Sequence, residues 1–358
     1  MPVLIANSGI SASQYGLVAT LGMAINISCM MLGGVLSRHT SHRSVLLLVF
    51  PLQLLALAYA LLVNSVASFT ISFVLTSLAF GTIDLFMNAE ASVVEQKLGR
   101  PVFSKYHGAV SFSMAAFAIL GSLISVLLQP WYSLLFLVPL VALSWAAIYK
   151  IIPANEVHVD TTPKAKAQLP YRILTLMGLA AGLNVTCEAA SILWAGQLLT
   201  TIAPELAAIS GLGVAFYGVC GGTMRMLADG LRLRFGELRL MSVSVFVAIA
   251  GFLLLSVAPG FWLSVFAFTA VGFGLAVTFP CLFSLTGQLV PHARAAAMGY
   301  MASIGGLPRV TMPYILGLLA ASYSVNAVFA ACAAVSIAAL LLIVLSLGRI
   351  NQPAAIKI

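Results

Sequence analysis

The chain has 358 residues, of which 61% are hydrophobic and only 7% charged, with a mean hydropathy of +1.09 and a formal net charge of +8. A water-soluble domain carries about a quarter charged residues, so this composition excludes an ordinary soluble enzyme and points to a bilayer as the solvent for most side chains. The cations stand between apolar stretches, where they orient membrane helices, so no nucleic-acid partner is expected.

A spanning helix needs about 20 apolar residues. In chain order the segments 13–36, 44–63, 67–89, 104–128, 131–152, 170–199, 207–230, 239–257, 261–286, 295–320 and 325–347 qualify, eleven in all. Turn residues Asn64-Ser65, Gln129-Pro130 and Pro259-Gly260 mark short gaps. The one long gap, 153–169, is polar and contains prolines, and it is expected to link two helical bundles. The predicted fold is therefore an all-α membrane protein of two pseudo-symmetric bundles, with five helices in 1–152, six in 170–348, and a tail over 349–358.

Lys and Arg occur in alternate gaps. Arg38 and Arg43 fill one; Lys97, Arg100 and Lys105 the next occupied gap; Lys150, Lys164, Lys166 and Arg172 flank the linker. Arg232, Arg234 and Arg239 follow, then Arg294, then Arg349 and Lys357. The gaps between these groups hold no Lys or Arg. This positive-inside pattern predicts a cytoplasmic C-terminus and, for an odd number of spans, an outward N-terminus. The first dozen residues have the character of a helix end, an outer loop and the start of the next helix, so a first helix is expected to be absent from the N-terminal bundle.

All five cysteines lie in apolar segments, which suggests no disulfide framework. Residues 1–10 lack the basic flank of a signal peptide. There is no His, Cys and carboxylate spacing for a metal and no Walker sequence. The glycines Gly211, Gly213, Gly218, Gly221 and Gly222 lie inside a span, where they let helices approach closely; they do not form a phosphate loop.

Two loop segments echo each other. The first is Gly33-Gly34-Val35-Leu36-Ser37-Arg38 with Arg43; the second is Gly222 and Arg225 followed by Ala228-Asp229-Gly230-Leu231-Arg232-Leu233-Arg234-Phe235-Gly236. Both resemble the G-x-x-x-D-R-x-G-R loop motif of the major facilitator superfamily, with Ser37 where the family has Asp. Asp84, Asn88, Glu90 and Glu95, then Gly99-Arg100-Pro101 and His107-Gly108-x-x-Ser111, resemble an inner-membrane branch distantly related to fucose permease. Glu188, Trp194, Gly272-x-Gly274, Phe279-Pro280 and Pro313-x-x-x-Gly317 extend that resemblance. Two positions depart from the branch: Leu193, where an acid is expected, and Arg309, where an apolar residue is usual. The resemblance implies a monomeric transporter in a bacterial inner membrane, with a small solute as its partner. No cofactor is implied beyond a proton as coupling ion.

Charged groups in hydrocarbon cost at least about 2.5–3.5 kcal/mol each, so each needs a reason. Asp84 with Asn88 one turn on is either a proton or solute ligand or a structural hydrogen bond between helices. Glu188, with Asn184 one turn before it, invites the same two readings. The resemblance places Asp84 and Glu188 in opposite walls of one cavity. Trp194 either stacks on a sugar ring or anchors at the interface. Arg309 either binds an anionic solute group, pairs with Glu188, or snorkels from a helix loosened by Pro308. His107 either relays protons or joins Glu90, Glu95 and Arg100 in a gate. His39, His42 and His292 are expected to be solvated loop residues. The expected activity is proton-coupled transport of a small polar solute, such as a sugar-like one, by alternating access, with Asp84, Asn88, Asn184, Glu188 and Trp194 as ligands. Proton-antiport efflux, or a truncated chain without transport, are the alternatives.

Overall fold

The computed structural model describes residues 2–36, 40–98, 103–153, 169–258, 260–290 and 294–350. The positions Arg38, Arg100, His39 and His292, the linker over 154–168 and the tail from 351 lie outside that set, as does the side chain of Glu95.

In hydrocarbon every backbone N–H and C=O must find its partner within the segment, so long apolar runs become helices. The first bundle comprises α1 (Pro2–Ser8), α2 (Ala12–Leu36), α3 (His42–Ala60), α4 (Val66–Leu98), α5 (Phe103–Leu127) and α6 (Leu134–Ile151). The second comprises α7 (Tyr171–Ile202), α8 (Leu212–Phe235), α9 (Glu237–Val257), α10 (Phe261–Leu275), α11 (Thr278–Leu289), α12 (Arg294–Ser322) and α13 (Val325–Ile350). Each apolar stretch read from the sequence is largely helical, those over 207–230 and 261–286 with an interruption. Among the described residues, ten helical segments are long and apolar enough to cross a membrane.

The apolar faces turn outward as well as inward. Leu48, Leu52 and Leu55, at helical spacing on α3, are all exposed, which only a lipid environment tolerates. Prolines shape the interior. Pro51 cannot bond the carbonyl of Leu47, and Trp145 of α6 donates to that freed oxygen at 3.0 Å, tying α6 to α3. Pro280 has the same effect on the carbonyl of Ala276, and the predicted single span 261–286 is broken there into α10 and α11.

The two bundles repeat one packing plan. α2 packs on α4 as α8 packs on α10, and α3 lies against α4 and α6 as α9 lies against α10 and α13. The bundles meet along two crossed seams, α2 with α12 and α5 with α8. Small residues make these seams close: a Cβ on Gly16 would lie 2.7 Å from the Cα of Gly317 and the carbonyl of Pro313. The plan differs at one place. In the second bundle α7 packs along both α12 and α13, whereas no described helix runs along α5 and α6 in that way. An apolar groove lined by Phe117, Leu120, Leu135, Phe136 and Leu143 lies there.

Candidate functional site

Glu188 sits midway along α7 and Arg225 midway along α8, which brings a carboxylate and a guanidinium into the middle of the second bundle. Arg225 Nη2 lies 3.1 Å from Glu188 Oε2, with only 16% and 18% of the two side-chain surfaces exposed. Arg225 Nη1 donates to the Ser111 hydroxyl at 2.6 Å, and Ser111 donates to the carbonyl of His107 at 2.9 Å. Since Ser111 and His107 belong to α5, this chain of hydrogen bonds joins the two bundles. Tyr217 of α8, fully buried, lies within electrostatic reach of both Glu188 and Arg225.

Asn184 holds the other side of the carboxylate. Its Nδ2 donates to Glu188 Oε1 at 3.2 Å and to the carbonyl of Leu275 at 3.1 Å. Leu275 ends α10, where the helix break leaves carbonyls without an intrahelical partner. The break made by Pro280 thus helps to position Glu188 through Asn184.

Asp84 and Asn88 form the one-turn pair that their spacing predicts, with Asn88 Nδ2 donating to Asp84 Oδ1 at 3.0 Å. Asp84 acts electrostatically on His107 and on Arg309, and Arg309 also senses Glu188. Asp84, His107, Glu188, Arg225 and Arg309 therefore form one charged cluster fed by α4, α5, α7, α8 and α12. Arg309 is brought there by the α7–α12 contact, where a Cβ on Gly182 would come within 2.3 Å of the carbonyl of Gly305. Its anticipated ion pair with Glu188 is not formed, because Arg225 and Asn184 occupy that carboxylate. The Arg309 Nε is buried without a hydrogen-bond partner.

Three expectations are corrected. Arg225 was grouped with the loop motif, yet it lies in the central cluster. A charge inside a span was the available clue, and the neighbouring motif masked it. His42 is not a solvated loop residue. It is 4% exposed, opens α3, packs edge-on against Phe86 and bonds Glu90 Oε1 through Nδ1 at 2.6 Å. Glu90 is thereby engaged within the first bundle. Arg43 also leaves the loop, placing its guanidinium 4.1 Å from the Tyr149 ring centroid and so linking α3 to α6.

The second loop motif is assembled as a unit. Arg232 contacts Glu237, lies 3.5 Å from Asp229 and donates to the Ser284 hydroxyl of α11 at 2.7 Å. Gly236 separates α8 from α9 with φ +77°, a conformation that side-chain-bearing residues rarely adopt. Trp194 is only 3% exposed and meets Tyr15 of α2 edge-on at 5.1 Å, while Tyr15 donates to the carbonyl of Leu193 at 3.3 Å. Phe69 and Phe73 of α4 complete this aromatic plug. It packs across the junction between the bundles at the end where α2 begins.

Two membrane-embedded helical bundles with a polar cluster held between them are the architecture of a solute transporter. The sequence profile of the Major Facilitator Superfamily matches residues 174–357, and the chain belongs to that family of transporters. It is 25% identical over 342 residues to an uncharacterized transporter of Sinorhizobium fredii, covering 92% of this chain and 88% of the relative. An uncharacterized MFS-type transporter of Yersinia pestis is 23% identical over 333 residues, covering 92% and 85%. In fold the chain is similar to a point mutant of the nucleoside transporter NupG, with TM-score 0.73 and 16% identity over 96% of this chain and 93% of that one. It is likewise similar to the human organic anion transporter MFSD10, with TM-score 0.66 and 18% identity over 92% and 83%. The protein is a multi-pass membrane transporter, not an enzyme.

Proposed function

We propose that this transporter carries a small polar solute together with a proton, by exposing the central cluster alternately to the two sides of a bacterial inner membrane. The observation that carries the reading is the charged cluster shared by both bundles. Its Arg225–Ser111–His107 chain crosses the interface that must open and close. Two bundles rocking about a site at the membrane midplane give such access, and intramembrane carboxylates are the usual proton carriers. Within the cluster the two carboxylates have different roles. Glu188 is committed to Arg225 and Asn184, and it organises the second bundle. Asp84 is half-buried, has the neutral Asn88 as its hydrogen-bond donor among the described residues, and is the group assigned here to carry the proton. The N-terminus lies outside, the plug of Tyr15, Phe69, Phe73 and Trp194 closes the outer end, and the working unit is a monomer.

The test uses purified protein in liposomes loaded with a pH-sensitive dye, challenged with nucleosides, sugars and small carboxylic acids. At least one solute acidifies the lumen, and Asp84→Asn abolishes the proton movement while retaining solute exchange. Proton uptake that survives Asp84→Asn removes Asp84 from the coupling role.

A further inference from the structure

Arg309 is the cation in this cluster that lacks a counterpart. Its Nε is buried without an acceptor, and among the described residues its terminal nitrogens make no hydrogen bond or ion pair. The carboxylates nearby are otherwise engaged, Glu188 by Arg225 and Asn184, and Asp84 by Asn88. A buried guanidinium Nε left without an acceptor is costly, and the planar fork of the half-buried side chain matches a carboxylate with two parallel hydrogen bonds. Asp84, Glu188, Arg225 and Arg309 together carry no net charge. One negative charge can therefore enter in step with one proton, whereas a dianionic phosphate would leave an excess.

We propose that Arg309 is the anchor for the carboxylate of the transported solute, which is thus a small monocarboxylic organic anion. This deepens the proton-coupled reading and rests on it for the order of events. In the empty site Asp84 of α4 acts on Arg309 through space, without a hydrogen bond or ion pair. When Asp84 takes up a proton, Arg309 is released to the incoming carboxylate, and the pair crosses without net charge. The other charged groups facing Asp84 are His107 from α5 and, beyond it, Arg225. α2 carries no carboxylate, lysine, arginine or histidine, its titratable groups being Tyr15 and Cys29, and His42 of α3 is held by Glu90.

The experiment measures thermal unfolding and equilibrium binding of the detergent-purified protein with a panel of small monocarboxylates, including lactate and gluconate. Each acid is paired with its carboxamide or parent alcohol, at pH 5.5 and 7.5. At least one acid binds, more tightly at the lower pH, and its neutral partner binds at least tenfold more weakly. Arg309→Gln abolishes binding, and Arg309→Lys retains a weakened form. In the absence of solute, Arg309→Gln keeps or raises the melting temperature, because no hydrogen bond or ion pair is lost and only a through-space attraction is removed. A melting temperature lowered by several degrees in solute-free Arg309→Gln overturns the proposal, as does a panel in which only neutral compounds bind. An acid whose binding survives Arg309→Gln does the same. A carboxylate that binds through Arg309 yet moves no protons in liposomes leaves the anion site standing and removes the proton-coupled reading. A neutral solute that drives proton uptake does the reverse.

Discussion

Replacing Glu188 with alanine isolates the interaction on which the centre of the second bundle depends. At the observed 3.1 Å, the Coulomb attraction between Arg225 and Glu188 is about 5 kcal/mol at an effective dielectric near 20. Much of that offsets the desolvation of two groups that keep less than a fifth of their side-chain surface exposed, so the net value of the intact pair is small. Removing one partner is different. Glu188→Ala strands Arg225 with only neutral hydroxyls, those of Ser111 and Tyr217, beside it, and such stranded charges cost about 3–5 kcal/mol. For a cooperative unit the size of one bundle, roughly 2–4 °C of melting temperature correspond to each kcal/mol. Glu188→Ala is therefore expected to lower the melting temperature by about 6–20 °C, and Arg225→Met by a similar amount. The double variant should recover at least half of either loss, since it buries no lone charge. Dye-reported thermal unfolding in detergent, run as a double-mutant cycle, gives the answer. If the two single losses simply add, the pair is not coupled and the argument for an organising Glu188 fails.

Two glycines make contrasting predictions. Gly182→Ala places a Cβ against the carbonyl and Cα of Gly305 and against Pro308, so α7 and α12 must separate; a loss of about 1–3 kcal/mol or more is expected, against no loss for Gly299→Ala, which meets open space. Thermal unfolding of the two variants side by side checks this, and equal stability refutes the close contact. Gly236→Ala meets no atom within 4 Å, so its cost of about 1–3 kcal/mol arises from φ +77° alone. Gly236→Ala and Gly236→Leu should then destabilise equally, and a loss graded with side-chain size contradicts the conformational explanation.

Contacts along one helix were legible in the sequence. The pairs Asp84–Asn88 and Asn184–Glu188 form because four residues make about one helical turn, whatever surrounds the helix. In the second loop motif Asp229 and Arg232, three positions apart, were equally readable, while the contact of Arg232 with Glu237 was not anticipated. The contact of Arg225 with Glu188 spans 37 positions, and its bond to Ser111 spans 114. No periodicity within α8 could reveal either partner. His42 looked like a loop residue because it follows a polar turn, and only the packing of α3 on α4 buries it against Phe86 and Glu90.

Composition and hydropathy alone established the bilayer as solvent and the helical character of the long apolar stretches. A bilayer leaves a 20-residue apolar segment no economical state except a helix, so hydropathy alone settles these features. The break that divides the span over 261–286 into α10 and α11 came only with the structure. The tertiary structure decided which charges meet. Asp84, His107, Glu188, Arg225 and Arg309 come from five helices and two bundles, and their juxtaposition follows from seams set by small residues such as Gly16, Gly182, Gly305 and Gly317. A partner for a buried charge is a property of the fold around it. That is why Arg225 found Glu188 and Arg309 was left with an open guanidinium.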